Sequence, residues 1–112
     1  MKLALEDFIK KLPLPATTKW PEGVWDIDAY KHGSMSVILY CPHGKDYQTA
    51  HEQDELYFVV KGSGILIVKD EKFSFGPGDA LFVPAHTDHH FENCTADIAI
   101  WAVFWGPKGG ER

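Results

Sequence analysis

Arginine is almost missing from this sequence: among 112 residues only Arg112, the last, is one. Its planar guanidinium is the usual bidentate clamp for carboxylates and phosphates. An anionic ligand held inside the protein would therefore need Lys, backbone amides or a metal. Cysteine is scarce as well. Cys41 and Cys94 are too few for a disulfide framework, and no CxxC pair offers a zinc site, so both read as reduced buried thiols. Positive charge is in deficit, with 11 Lys and Arg against 16 Asp and Glu and a formal net charge of −5. That balance repels phosphate backbones and anionic lipid surfaces, which argues against nucleic-acid or membrane partners. Long hydrophobic runs are lacking too. The opening MKLALEDFIKK is short and interrupted by Glu6 and Asp7, unlike a secretory leader, so a cytoplasmic protein is expected.

What is present is a core. The chain is 45% apolar and 24% charged, close to an ordinary globular domain, and 7 Phe, 4 Trp and 4 Tyr supply bulk for one hydrophobic interior. A chain of this length buries roughly 60 to 70% of its unfolded surface, enough for a single self-sufficient domain.

Helical spacing occurs once, in Leu3, Leu5, Phe8, Ile9 and Leu12, and Pro13 with Pro15 closes it. From Val24 onward the texture changes to short apolar or alternating runs divided by Gly, Pro, Asp and Asn, the pattern of strands in an all-β domain. Nine strands are expected, over 24–30, 35–40, 47–51, 55–61, 64–69, 72–75, 80–84, 88–92 and 97–105. Turn chemistry separates them, for example in Gly62-Ser63-Gly64 and Gly76-Pro77-Gly78-Asp79. This divides the chain into a lead-in with one short helix (1–23), an all-β barrel or jelly roll (24–106) and a flexible tail (107–112).

Three stretches carry chemistry: TAHEQDELYFVVKGSG at 49–64, GPGDALFVP at 76–84 and AHTDHHFEN at 85–93. They hold His51, Glu55, His86, His89 and His90, and imidazole with carboxylate is the donor set for Fe, Zn, Mn or Ni. In these stretches the sequence resembles the cupins, small double-stranded β-helix (jelly-roll) proteins. His51, Glu55 and Gly62 match the second His, the Glu and the Gly of the first cupin motif. Gly78, Pro84, His89 and Asn93 match the second motif, and His86 replaces its inner Gly. The resemblance spans roughly residues 35–105. It implies a metal held by His51, Glu55 and His89, while Thr49 stands where the motif has its first His. The amide of Gln48 or of Gln53 is a candidate for the place that Thr49 leaves.

Taken singly, each of these residues has a plain structural reading, His51 as a strand-bridging imidazole and Glu55 as a solvated strand start. Residues four apart on a straight strand lie about 13 Å apart, so His51 and Glu55 meet one ion only if Glu52-Gln53-Asp54 bends. Side chains alternate along a strand. If Glu55 points inward so do Tyr57 and Val59, and if His89 does so does Phe91, making Tyr57 and Phe91 the expected substrate-facing wall. His90 then points away, and His32 and His43 are read as solvent-facing. For 97–105 both alternating sets are apolar, so the inner face is not decided by sequence.

Two functions compete. One is a metal-dependent enzyme, of dioxygenase, isomerase or lyase type, acting on a neutral or metal-chelating small molecule. The other is a non-catalytic cupin that binds or senses a small molecule, with or without metal. Strands 24–30 and 97–105 offer apolar surface and edges that a second copy could cover, so a homodimer is expected.

Overall fold

The computed structural model describes residues 1–112. One short helix, α1 (Leu5–Ile9), precedes eight strands: β1 (Asp26–His32), β2 (Met35–Tyr40), β3 (Asp54–Lys61), β4 (Gly64–Val68), β5 (Glu71–Phe75), β6 (Ala80–Val83), β7 (His89–Glu92) and β8 (Ala99–Trp105). All pairings are antiparallel. The strands form a five-stranded sheet in the order β1-β2-β8-β3-β6 and a three-stranded sheet in the order β5-β4-β7. Two facing antiparallel sheets of this kind make a jelly roll, as the strand spacing predicts.

Turn residues place the strands. β1 and β2 join through Gly33-Ser34, where Gly33 takes φ +58°, the left-handed backbone that a primed hairpin turn requires. Gly62 carries the chain from β3 in one sheet to β4 in the other, at φ +80°. A Cβ there would lie 2.8 Å from the Ile98 Cα, so the crossing admits no side chain.

Alternation then sorts the faces. On β3, Glu55, Tyr57 and Val59 are buried while Phe58 and Val60 are exposed, and on β7 His89 and Phe91 are buried. The undecided strand resolves the same way. Ile100 and Ala102 face the core between the sheets, and Trp101 faces outward, its ring 6.0 Å from that of Phe8 on α1. The inner core joins Tyr40, Tyr57, Leu66, Val83, Phe91 and Ile100 with their neighbours, and Phe91 lies edge-on to Tyr40, Tyr57 and Phe75 at 5.0–5.8 Å. A second small cluster, Leu39, Cys41 and Ala99, lies under α1 on the outer face.

Four expectations are corrected. The segment 47–51 is not a strand, because Asp46 draws its backbone out of any ladder: the Asp46 carboxylate accepts from the Gln48 N–H at 3.1 Å and from the Phe91 N–H at 2.8 Å. Strand β8 lies in the middle of the large sheet between β2 and β3, so the edges are β1 and β6. The tail is tied down: Gly109 N–H donates to the Glu52 carbonyl at 2.7 Å and Glu111 N–H to Asp54 Oδ2 at 2.9 Å. His43 stacks on Trp25 with ring centroids 3.8 Å apart, and its two nitrogens face the carbonyls of Cys41 and Ala96, so it braces two loops.

Candidate metal centre

The site lies at the end of the barrel where β3 begins. Asp54 opens that strand, and the bend at Glu52-Gln53 before it brings His51 back over Glu55. A backbone bond from His86 N–H to the His51 carbonyl fastens this bend to the turn that leads into His89. The result is His51 Nε2 at 3.7 Å and His89 Nε2 at 3.3 Å from the same oxygen, Glu55 Oε1. Donor atoms of the three residues all lie within 4.8 Å of one another, close to the roughly 4.2 Å that separates opposite ligands on a divalent ion with bonds of about 2.1 Å.

Burial makes this arrangement demanding. Glu55 is 2% exposed and His89 3%, and the two facing atoms, Glu55 Oε1 and His89 Nε2, have no hydrogen-bond partner despite their proximity. Two buried acceptors that face each other repel unless a proton or a cation lies between them. The His89 ring is oriented to admit either, because its Nδ1–H donates to the Thr87 carbonyl at 2.8 Å and so turns Nε2 towards Glu55.

The two imidazoles differ electrostatically. Burial pulls the His89 pKa down, but Glu55 and the Thr87 carbonyl outweigh it and hold the ring above the ordinary histidine value, so a proton on Nε2 competes with a cation for the place beside Glu55. For His51 burial prevails over the attraction of Glu55, and its pKa falls, which keeps the ring neutral and able to ligate.

Gln53 is turned away, its Nε2 donating to the carbonyls of Ser34 and Gly106. Thr49 is exposed. Gln48 points in, with Oε1 3.3 Å from His51 Nε2 and accepting from the Tyr57 hydroxyl at 3.3 Å. His86 is exposed in a left-handed turn, and His90 pairs with Glu92 on the outside at 3.0 Å.

A cavity of about 190 Å³ opens beside the donors and is lined by His51, Glu55 and Gln48 together with Lys19, Trp20 and Asp26. Tyr57 and Phe91 point inward as alternation requires, but they lie in the core beneath the donors and not on this wall. Sequence reasoning missed Lys19, Trp20 and Asp26. The first two sit in an irregular lead-in without periodicity, and no motif marks them. Asp26 opens strand β1, and only in the fold does it stand out, as a carboxyl that burial and neighbouring Asp28 raise above the usual range despite Lys19.

Comparison with known proteins gives the class. The cupin domain family (Cupin_2) matches residues 36–105, and the chain belongs to that family. A protein of Streptomyces coelicolor described as uncharacterized is 36% identical over 77 residues, which cover 67% of this chain and 73% of that protein. Among solved structures, KdgF from Halomonas sp. superposes with a TM-score of 0.64 at 21% identity, covering 74% of this chain and 80% of that one. A putative mannose-6-phosphate isomerase from Ralstonia eutropha gives a TM-score of 0.60 at 23% identity, over 84% and 92% of the two chains. At these identities the structural likeness speaks for the fold. No helix is long and apolar enough to cross a membrane.

Proposed function

We propose that this cupin is a metal-dependent enzyme in which His51, Glu55 and His89 hold one divalent ion of Fe, Zn, Mn or Ni and a neutral or metal-chelating small molecule enters the adjoining cavity. The observation that carries the reading is the convergence of His51 Nε2 and buried His89 Nε2 on one buried oxygen, Glu55 Oε1, with no other hydrogen-bond partner for the latter two atoms. An ion bound there supplies Lewis acidity and coordination positions open to a ligand. The chain supplies the rest: Thr87 fixes the tautomer of His89, Trp20 and Phe104 wall the cavity, and Asp26, its carboxyl raised above the ordinary range, is suited to accept or return a proton. The absence of interior arginine and the single cavity lysine, Lys19, fit a substrate without a large negative charge.

Elemental analysis of the purified protein tests the reading. One equivalent of a transition metal is expected in the wild type, with loss in His51→Ala and His89→Ala. Equal metal in all three proteins would falsify the site. A metal-loaded protein that turns over none of a panel of small chelating acids, alcohols and sugars would favour the non-catalytic binding role.

A homodimer is part of the same proposal. Phe58 and Val60 on β3 and Phe82 on edge strand β6 are exposed on the outer face of the large sheet, Phe82 by 52%. A second copy would cover them. A sedimentation coefficient of a 12.6 kDa monomer at micromolar concentration would count against it.

A further inference from the structure

Two hydrogen bonds decide which way the Gln48 amide faces. Its Nε2 donates to Asp46 Oδ2, and its Oε1 accepts from the Tyr57 hydroxyl. The reversed amide would set an oxygen against a carboxylate, so only one orientation is allowed. Asp46 cannot turn to accommodate the other, because it also accepts from the Tyr40 hydroxyl at 2.9 Å and from the Phe91 N–H at 2.8 Å, across to β7. The amide oxygen is therefore held towards the donors, 3.3 Å from His51 Nε2. Neighbouring ligands on a divalent ion with bonds of about 2.1 Å lie about 3.0 Å apart in octahedral and about 3.4 Å apart in tetrahedral geometry.

We propose that the carbonyl oxygen of Gln48 is the fourth protein donor of the metal centre and that Asp46 is the positioning residue which presents it. This rests on the reading of His51, Glu55 and His89 as metal ligands. The donor is displaced by one residue from Thr49, where the motif expects an imidazole. The displacement has a local cause: residues 47–51 leave the strand conformation under the pull of Asp46, so the inward-facing side chain is that of residue 48 and Thr49 is exposed. The donor set becomes two imidazoles, one carboxylate and one neutral amide oxygen. It is harder than a three-histidine set, and that favours Mn and Fe(II) relative to softer, imidazole-preferring ions.

Titration of the metal-free protein with Co²⁺, followed by the visible d–d bands and by calorimetry, tests the assignment. Gln48→Ala is expected to bind Co²⁺ about tenfold or more weakly with shifted bands. Gln48→Leu, which keeps the volume of the side chain and removes its oxygen, is expected to lose affinity in the same way. Thr49→Val should match the wild type in both affinity and spectrum. Wild-type affinity and bands in Gln48→Ala or in Gln48→Leu, with circular dichroism and melting like those of the wild type, overturn the proposal. His89→Ala separates the two levels. Loss of Co²⁺ in His89→Ala with none in Gln48→Ala removes Gln48 alone, whereas wild-type binding by His89→Ala removes the three-residue centre and the proposal with it.

Discussion

Along the inner face of β3 the side chains run Glu55, Tyr57, Val59, and along that of β7 they run His89, Phe91, so each strand descends from a carboxylate or an imidazole into an apolar core. The same alternation therefore builds two unlike ends. Beneath the donors, Phe91 touches three aromatic rings and every polar atom at hand has a partner, Tyr57 bonding Gln48 and Tyr40 bonding Asp46. At the mouth, buried Glu55 Oε1 and His89 Nε2 have only each other. One end holds the fold together and the other is held together by it, which is the usual division between stability and function.

Removing the centre of the aromatic cluster at the stable end should have the greatest effect. Phe91→Ala deletes a 3%-exposed ring at the centre of the aromatic cluster and is expected to cost about 3–5 kcal/mol. Urea denaturation checks this, and a loss below about 1 kcal/mol would mean that the core does not depend on this ring. At the other end the expectation reverses. Supplying a divalent ion at a hundredfold over its Kd should stabilise the wild type by about 2.7 kcal/mol, since only the folded chain presents the assembled donors. His89→Ala should lose that increment. If the melting temperature of the wild type ignores Zn²⁺, Mn²⁺, Fe²⁺ and Ni²⁺ alike, the comparison between the two ends fails.

Asp54 sits beside Glu55 on the same strand yet behaves as part of the scaffold. Its oxygens accept from the backbone of Glu111 and of Ala85, and those two bonds hold its carboxyl below the usual carboxylate range. The folded value is the lower one, so the stabilisation is present above the unfolded value near 3.9 and is lost as pH falls through the folded one. Asp54→Asn should therefore lower the melting point at pH 6, and the gap from the wild type should narrow progressively as the pH falls below about 3.9. A gap that does not change from pH 6 down to acid unfolding would show that the tail is not anchored by this charge.

How far these features could be read from the chain follows from their range. Seven of the strands follow runs whose alternation and Gly or Pro punctuation are local, and β8 was visible as a strand while its position in the sheet was not, because order depends on pairing partners distant in sequence. The three donors that meet, His51, Glu55 and His89, sit at motif spacings, and the bend between the first two was required by distance alone. Gln48 was one of two open candidates. Choosing it over Gln53 took the position of Asp46, whose partners Tyr40 and Phe91 lie on two other strands. Lys19 and Trp20 reach the cavity from a stretch with no period, and the anchoring of the tail on Asp54 spans 57 residues. Each of these is a tertiary contact of an irregular segment, for which neither a 2-residue nor a 3.6-residue pattern exists.

The smallest effect tests whether the mouth also tolerates backbone strain. His86 takes φ +58°, a conformation costing a residue with a Cβ about 1–2 kcal/mol, at the place where the cupin motif has glycine. Its side chain is exposed, and its contribution to the site is a backbone bond, from its N–H to the His51 carbonyl. His86→Gly keeps that bond and relieves the strain, at the cost of greater freedom in the unfolded chain. A net gain of about 0.5–1 kcal/mol is expected, with Co²⁺ affinity unchanged. A loss of stability would mean that the imidazole itself supports the turn, and a loss of affinity would bring His86 into the metal centre.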